Sequence, residues 1–465
     1  MSIFKAYDVR GIVPDQLNAG LARKIGLAFA SFIRSGLEKQ AGGLQGNPVV
    51  GVGRDARPSG DDLVPALIDG IQRGGCNVVY FGQCTTPMLY FGVGQQKLDG
   101  GVMATASHNP PEYNGFKFTR EDAIPVSYDT GVGRMEKAVA EGPLPEFEPG
   151  GTQRDHNLTA DYATYVKKFV RDGGSKRLKI AIDTANGMAG VYSHLFADPV
   201  FNIDVVPLFF NIDCTFPNHE ANPLKTDTLD AVREAVKANA CDAGIAFDGD
   251  ADRAVAIDEQ GEVVRSDITT ALIAREMLER EKGSTILYDL RSSRIVPELV
   301  KQLGGKPVRV RVGHSFAKAV MREEKAIFGG ELSGHCYFRD CYQADSAIVT
   351  MVELLNLMRK HGKPLSELVA PLMTYHGTGE INFRVKDKDA MMKQLEATFG
   401  PTSGGGEGGD VDWLDGVSVN FADWWFNVRP SNTEPLLRLT LEASTAEECE
   451  KRLAQLKSML GTPVH

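Results

Sequence analysis

The sequence predicts an α/β protein of three similar domains with mixed or parallel sheets, followed by a smaller α+β domain. Three observations predict it. Apolar β-type runs alternate with helical stretches, the same order of elements recurs three times, and the last segment departs from that order. The length of 465 residues, at roughly 150 per domain, also asks for about three cores.

The first unit opens with Val49-Val50-Gly51-Val52 running into Gly53-Arg54-Asp55. The second opens with Ile180-Ala181-Ile182 before Asp183, and the third with Ile286-Leu287-Tyr288 before Asp289. A helix follows each strand. In the first unit Leu63, Val64, Leu67, Ile68 and Ile71 share one helical face, with Ser59 at the N-cap. Second strands come next, at Val78-Val79-Tyr80-Phe81, Val205-Val206-Pro207-Leu208 and Val308-Arg309-Val310, then further helices such as the one carrying Leu229, Val232 and Val236. Each third strand runs into a polar loop. These loops are Thr105-Ala106-Ser107-His108-Asn109-Pro110, Asp248-Gly249-Asp250-Ala251-Asp252-Arg253 and Gly330-Glu331-Leu332-Ser333-Gly334-His335. Ligands gather at the carboxyl ends of strands in open α/β sheets, where such loops belong. The last segment holds a Gly-rich stretch, 401–410, and an Arg429-Pro430-Ser431-Asn432-Thr433-Glu434-Pro435 loop before a strand from Leu436 to Leu441. The expected domains are 1–153, 154–262, 263–376 and 377–465.

Composition narrows the function. A net charge of −10 with 42% apolar and 24% charged residues describes a soluble globular protein and argues against a nucleic-acid-binding surface. A local basic pocket for a small phosphorylated ligand is compatible with this balance. The N-terminus is charged too early for a signal peptide, and no apolar run reaches the roughly 18 residues that span a bilayer. The seven cysteines are scattered without a Cys-x-x-Cys pair, so reduced, mostly buried thiols in a cytoplasmic protein are expected.

Three alternating carboxylates, Asp248, Asp250 and Asp252, converge on one hard cation from a tight loop, because they repel one another unless a cation joins them. An EF-hand would place its bidentate ligand at Glu259. It would also need glycine where Arg253 stands and helices where both flanks read as strands. Ser107 beside His108, with Lys117 beyond, offers a nucleophile, a proton carrier and a cation for phosphate, although the motif alone also reads as a hydrogen-bonded turn. Glu331 suits two sugar hydroxyls, with Ser333 beside it. Arg429 and its loop have the composition of a phosphate cradle. Trp424 and Trp425 read as core.

Together these loops resemble the α-D-phosphohexomutase family, most closely its phosphomannomutase/phosphoglucomutase branch, over nearly the whole chain from Tyr7-Asp8-Val9-Arg10-Gly11 to Arg429–Pro435. The resemblance implies three similar α/β domains, a TATA-binding-protein-like fourth domain, and an active site in the cleft between all four. It implies a phosphoserine at Ser107, and magnesium on Asp248, Asp250 and Asp252 with Ser107 as a further ligand. Proton transfer and phosphate contact fall to His108 and Lys117, and sugar hydroxyls to Glu331 and Ser333. Arg429, Ser431, Asn432 and Thr433 hold the phosphate that is not transferred. Tyr7, Arg10, Arg253, Arg291, His314 and His335 are supporting contacts. Arg291 stands where many relatives carry Lys, and Leu332 where Met marks mannose/glucose enzymes and Gln glucosamine enzymes.

The implied reaction moves phosphate between O1 and O6 of a mannose or glucose phosphate, through a hexose 1,6-bisphosphate that also serves as activator. Lys117 takes the hydroxyl proton. The alternatives are a phosphoglucosamine mutase, a phosphatase using the same serine and metal, and a non-catalytic Ca²⁺-binding protein. The expected partner is a small hexose phosphate, without nucleic acid or membrane, on a monomer or weak homodimer.

Overall fold

A computed structural model describes residues 2–39, 44, 46–171, 176–431 and 436–464. They form two compact units. The first is Met1–Ser266 with Gly313–Gly329 and Ser333–Glu367, and the second is Asp267–Val312 with Gly330–Leu332 and Leu368–His465.

The first unit opens with a six-stranded sheet of β1 (Val9–Ile12), β2 (Val49–Arg54), β3 (Asn77–Gln83), β4 (Gly100–Ala104), β5 (Tyr113–Arg120) and β6 (Gln153–Asp155), in the order β1-β5-β4-β2-β3-β6. Its middle is parallel, β2 pairing with both β3 and β4, while β5 returns antiparallel to β4 and to β1. Helices α1 (Ala19–Glu38) and α2 (Gly60–Arg73) pack against this core. The apolar face read from the sequence is the one α2 buries: Leu63, Val64, Leu67, Ile68 and Ile71. Ser59 does stand at the N-cap of α2, but its own backbone is helical and its hydroxyl makes no capping bond. It accepts instead from Asn114 Nδ2 at 2.9 Å.

The second sheet repeats this plan with five strands, β7 (Leu178–Asp183), β8 (Ile203–Leu208), β9 (Ala243–Phe247), β10 (Ala254–Asp258) and β11 (Val263–Val264), ordered β11-β10-β9-β7-β8. Both β8 and β9 run parallel to β7, and β10 turns back antiparallel to β9. Strands β4, β9 and β10 are buried along their whole length, as apolar runs inside an α/β layer must be. The polar loops after β4 and β9 therefore begin at the carboxyl ends of buried strands. A pair of short antiparallel strands, later in the chain, follows the Glu331 loop of the third repeat.

In the second unit β12 (Thr285–Asp289) and β13 (Lys306–Val310) pair in parallel. The chain then passes through β14 (Phe328–Gly330), and the antiparallel pair β15 (Cys336–Phe338) and β16 (Ala344–Asp345) lies in the first unit. The last sheet is antiparallel throughout: β17 (His376–Phe383), β18 (Asp410–Asp412), β19 (Val417–Asn420), β20 (Trp424–Pro430), β21 (Leu437–Ala443) and β22 (Pro463–Val464). Trp424 and Trp425 are buried here, as core. All seven cysteines are free and buried. No helix of the described residues is long and apolar enough to cross a membrane.

Candidate active site

In the first unit the Ser107 loop is fastened from outside. Arg57, wholly buried, donates to the carbonyls of Ser107 (3.0 Å), Asn109 (2.6 Å), Pro110 (2.6 Å) and Tyr113 (2.9 Å), while Asp55 accepts from its Nε at 3.1 Å. Four carbonyls and a carboxylate use the whole guanidinium fork. Ser107 itself has a left-handed backbone, φ +54°, and its Oγ lies 3.1 Å from His108 Nδ1 and 3.4 Å from Asp248 Oδ2. Gly249 explains how the two loops meet: a Cβ there would lie 2.5 Å from the Ser107 carbonyl oxygen. Nothing in the local sequence marked Arg57. Replacing it with methionine is expected to cost about 3–5 kcal/mol of stability, because Asp55 then becomes a buried, unpaired charge. Urea unfolding checks this, and a loss below about 1 kcal/mol would leave the loop without the anchor described.

Asp248, Asp250 and Asp252 are all buried, and their carboxylate oxygens come within 4.8 Å of one another. Asp248 Oδ1 accepts from the backbone of Asp252 and Arg253, each at 3.1 Å, which curls the loop. Lys117 on β5 donates to Asp250 Oδ2 and Asp252 Oδ2, both at 2.7 Å. Asp250 Oδ1 and Asp252 Oδ1 are buried and make no hydrogen bond. Three carboxylates, two of them with a buried oxygen that makes no hydrogen bond, fit a hard divalent cation. The EF-hand alternative fails on both counts: the flanks are β9 and β10, and Glu259 accepts from the backbone and side chain of Ser366.

Burial, then the charges of Asp252 and Asp250, pushes Asp248 well above the usual carboxylate range. Burial also works against Asp252, but Lys117, His335 and Arg253 hold it well below that range. Lys117 stands in its charged form. Burial opposes its charge, yet Asp250 and Asp252 keep it firmly cationic. His108 is driven well below the usual histidine value by burial, then by Arg253 and Arg10, so it is neutral at pH 7.

The supporting residues of this unit fall nearby. Arg253 Nε donates to His335 Nε2 at 3.2 Å, His335 lies 3.4 Å from Asp252 Oδ1, and Ser333 Oγ lies 2.9 Å from His335 Nδ1. Tyr7 packs edge-on against His314, and Arg10 Nη1 donates to Asn109 Oδ1. A layer behind His335 escaped the sequence reading. Asp345 offers its oxygen to the same cluster as Asp252 and His335, and pairs with the fully buried Lys318 at 3.0 Å. Lys318 in turn lies 4.0 Å from the Tyr90 ring centroid.

The second unit gathers a different set. Glu331 is buried, and the backbone N–H of Leu332 donates to Asp289 Oδ2 at 3.2 Å. Asp289 also holds Arg291, accepting from its backbone at 2.8 Å and its Nε at 3.0 Å. Arg291 and Arg429 both reach Glu380, and Ser431 follows at the end of β20. Asn432 and Thr433 lie outside the described residues.

Family models for phosphoglucomutase/phosphomannomutase match the chain four times in order: alpha/beta/alpha domain I at residues 1–141, domain II at 160–261, domain III at 265–375 and the C-terminal domain at 380–458. The chain belongs to the phosphoglucomutase/phosphomannomutase family.

Relatives agree along the full length. A protein named for phosphohexose mutases in Xanthomonas campestris is 38% identical over 459 residues, 98% of each chain. A phosphomannomutase of Methanocaldococcus jannaschii is 37% identical over 472 residues, 99% of this chain and 98% of that one. The crystal structure of a phosphoglucomutase/phosphomannomutase family protein from Burkholderia thailandensis superposes with a TM-score of 0.88 at 31% identity, covering 99% of this chain and 98% of that one. An Aspergillus fumigatus N-acetylphosphoglucosamine mutase, crystallised with GlcNAc-6P and magnesium, shares the fold at 14% identity and a TM-score of 0.58, covering 95% and 93%. The family member described here is thus a phosphohexose mutase of four domains, an isomerase-type phosphotransferase. A phosphoglucosamine mutase is not favoured.

Proposed function

We propose that this mutase interconverts the 1- and 6-phosphates of mannose and glucose by passing a phosphoryl group through Ser107. The observation that carries the reading is Ser107 Oγ, held between His108 Nδ1 and Asp248 at the edge of a buried three-carboxylate cluster. Asp248, Asp250 and Asp252, with the phosphate on Ser107, would hold a divalent cation, magnesium in this reading, which would supply charge compensation for the phosphoryl oxygens.

The chain's own groups do the rest. The P–Oγ bond to Ser107 breaks as a bond forms to the sugar's free hydroxyl. The departing Ser107 Oγ takes a proton from the Lys117 ammonium by way of the neutral His108, whose Nδ1 lies 3.1 Å from it, and the amine left on Lys117 takes the proton that the hydroxyl gives up, so the exchange is proton-neutral. Arg57 keeps the serine from drifting between the two half-reactions, since its four carbonyl bonds involve no reacting atom. Glu331 and Ser333 take the hydroxyls at C3 and C4, which mannose and glucose share. Arg429 and Ser431, with Asn432 and Thr433, take the phosphate that stays on the sugar. The hexose 1,6-bisphosphate then turns over and returns its other phosphate to Ser107, in a chain whose four domains divide near 153, 262 and 376.

Purified protein is expected to carry phosphate on Ser107 in part of the population, adding about 80 Da. Intact mass and peptide mapping read it, and incubation with excess hexose monophosphate, which leaves as the bisphosphate, should lower the occupancy. Phosphate found reproducibly at another residue, with Ser107 unmodified, would remove the basis of the reading.

A further inference from the structure

Strand β17 carries a bulge. Gly377 pairs with Glu442 and Glu380 with Thr440, so one residue is extra between them. Gly379 sits in the bulge at φ +66° with open space around it, a backbone that suits glycine, and Thr378 Oγ1 accepts from the Leu441 N–H at 3.2 Å to close it. The bulge aims Glu380 at three guanidiniums. Arg429 Nη2 donates to Oε2 at 2.6 Å, Arg291 Nη1 to Oε2 at 3.3 Å, and Arg438 Nη1 to Oε1 at 2.8 Å.

Two of these arginines are directly opposed, Arg429 on β20 facing Arg438 on β21. Like charges across a ladder destabilise it, so the pair persists only with an anion between them. Arg429 is almost wholly buried, and its Nε makes no hydrogen bond. Burial would raise the Glu380 carboxyl, but Arg291, Arg429 and Arg438 hold it below the usual range, so it is that anion. The same fork geometry that binds a carboxylate binds a phosphate, with a third oxygen and a second charge to spare.

We propose that Glu380 is an internal competitor for the phosphate cradle, occupying its guanidiniums between substrates and yielding them to the substrate's phosphate. The inference rests on the phosphohexose mutase reading and adds to it a residue that tunes release. A bisphosphate that must turn over has to leave this cradle and come back, and an intramolecular anion lowers the cradle's hold without removing any donor. Apparent affinity falls by the fraction of time the cradle is open, so a carboxylate bound nine parts in ten weakens phosphate about tenfold.

The test is titration calorimetry of the full chain with inorganic phosphate and with glucose 1-phosphate, for the wild type, Glu380→Gln and Glu380→Asp. Glu380→Gln is expected to bind both about tenfold more tightly, with slower dissociation and with kcat and KM both lowered. Glu380→Asp, which keeps the charge on a shorter stem, is expected to fall between. If Glu380→Gln is fragile, phosphate should raise its unfolding temperature more than it raises that of the wild type. Equal or weaker phosphate binding in both variants overturns the proposal, as does a stability loss that phosphate repairs no better than in the wild type. The mutase reading fails on a different observation, a wild type that binds these phosphates yet isomerises no hexose phosphate.

Discussion

Ser107→Ala is expected to lower hexose-phosphate isomerisation by at least about 10⁴-fold, because the group that carries the phosphoryl between substrates is gone. The loss should be almost entirely in kcat. The alanine keeps the backbone, which Arg57 holds through the Ser107 carbonyl, so the loop and its approach to Gly249 survive. What disappears is one hydroxyl contact each to His108 and Asp248, worth about 1 kcal/mol. A coupled assay of glucose 1-phosphate conversion, run beside calorimetric unfolding, separates the two effects. Activity retained at a tenth of wild type would place the phosphoryl carrier elsewhere.

Asp250→Asn should cost roughly 10³-fold in turnover while leaving the fold as stable as before, or more so, when no metal is present. The reasoning is electrostatic. Three buried carboxylates are balanced here by Lys117 and Arg253, and their mutual repulsion shows in Asp248, which is pushed up by burial and by its two neighbours. Removing one charge relieves that repulsion, and an asparagine oxygen still accepts from Lys117 and from Thr86 Oγ1. The cost falls on the cation, which loses one of three anionic ligands. Unfolding measured with and without a chelator decides the matter. A chelator that unfolds the wild type, or a variant that loses several kcal/mol without metal, would mean that the metal builds the fold instead of serving the chemistry.

The residues assigned to the proposed chemistry stood out in the sequence for a local reason. Ser107, the three aspartates, Glu331 and Arg429 each follow an apolar strand run within a few positions, and the strand tells where the loop starts. The threefold order of elements was legible for the same reason, since an apolar run and a helical face are properties of neighbouring residues. The groups that hold those residues in place were not legible. Arg57 lies 50 positions before the serine it secures, and nothing in Ala56-Arg57-Pro58 distinguishes it from a solvated arginine. Lys318 and Asp345 pair inside the first unit, and Glu380 gains its three arginines only because a bulge shifts β17 against β21. The charge state of Lys117 belongs to this class too. Its sequence neighbours on β5 are apolar, and the carboxylates that keep it protonated come from a loop more than a hundred residues later. Which residue types can do the chemistry is a matter of local chain, whereas how each is charged and held depends on burial and on partners brought close by long-range strand register.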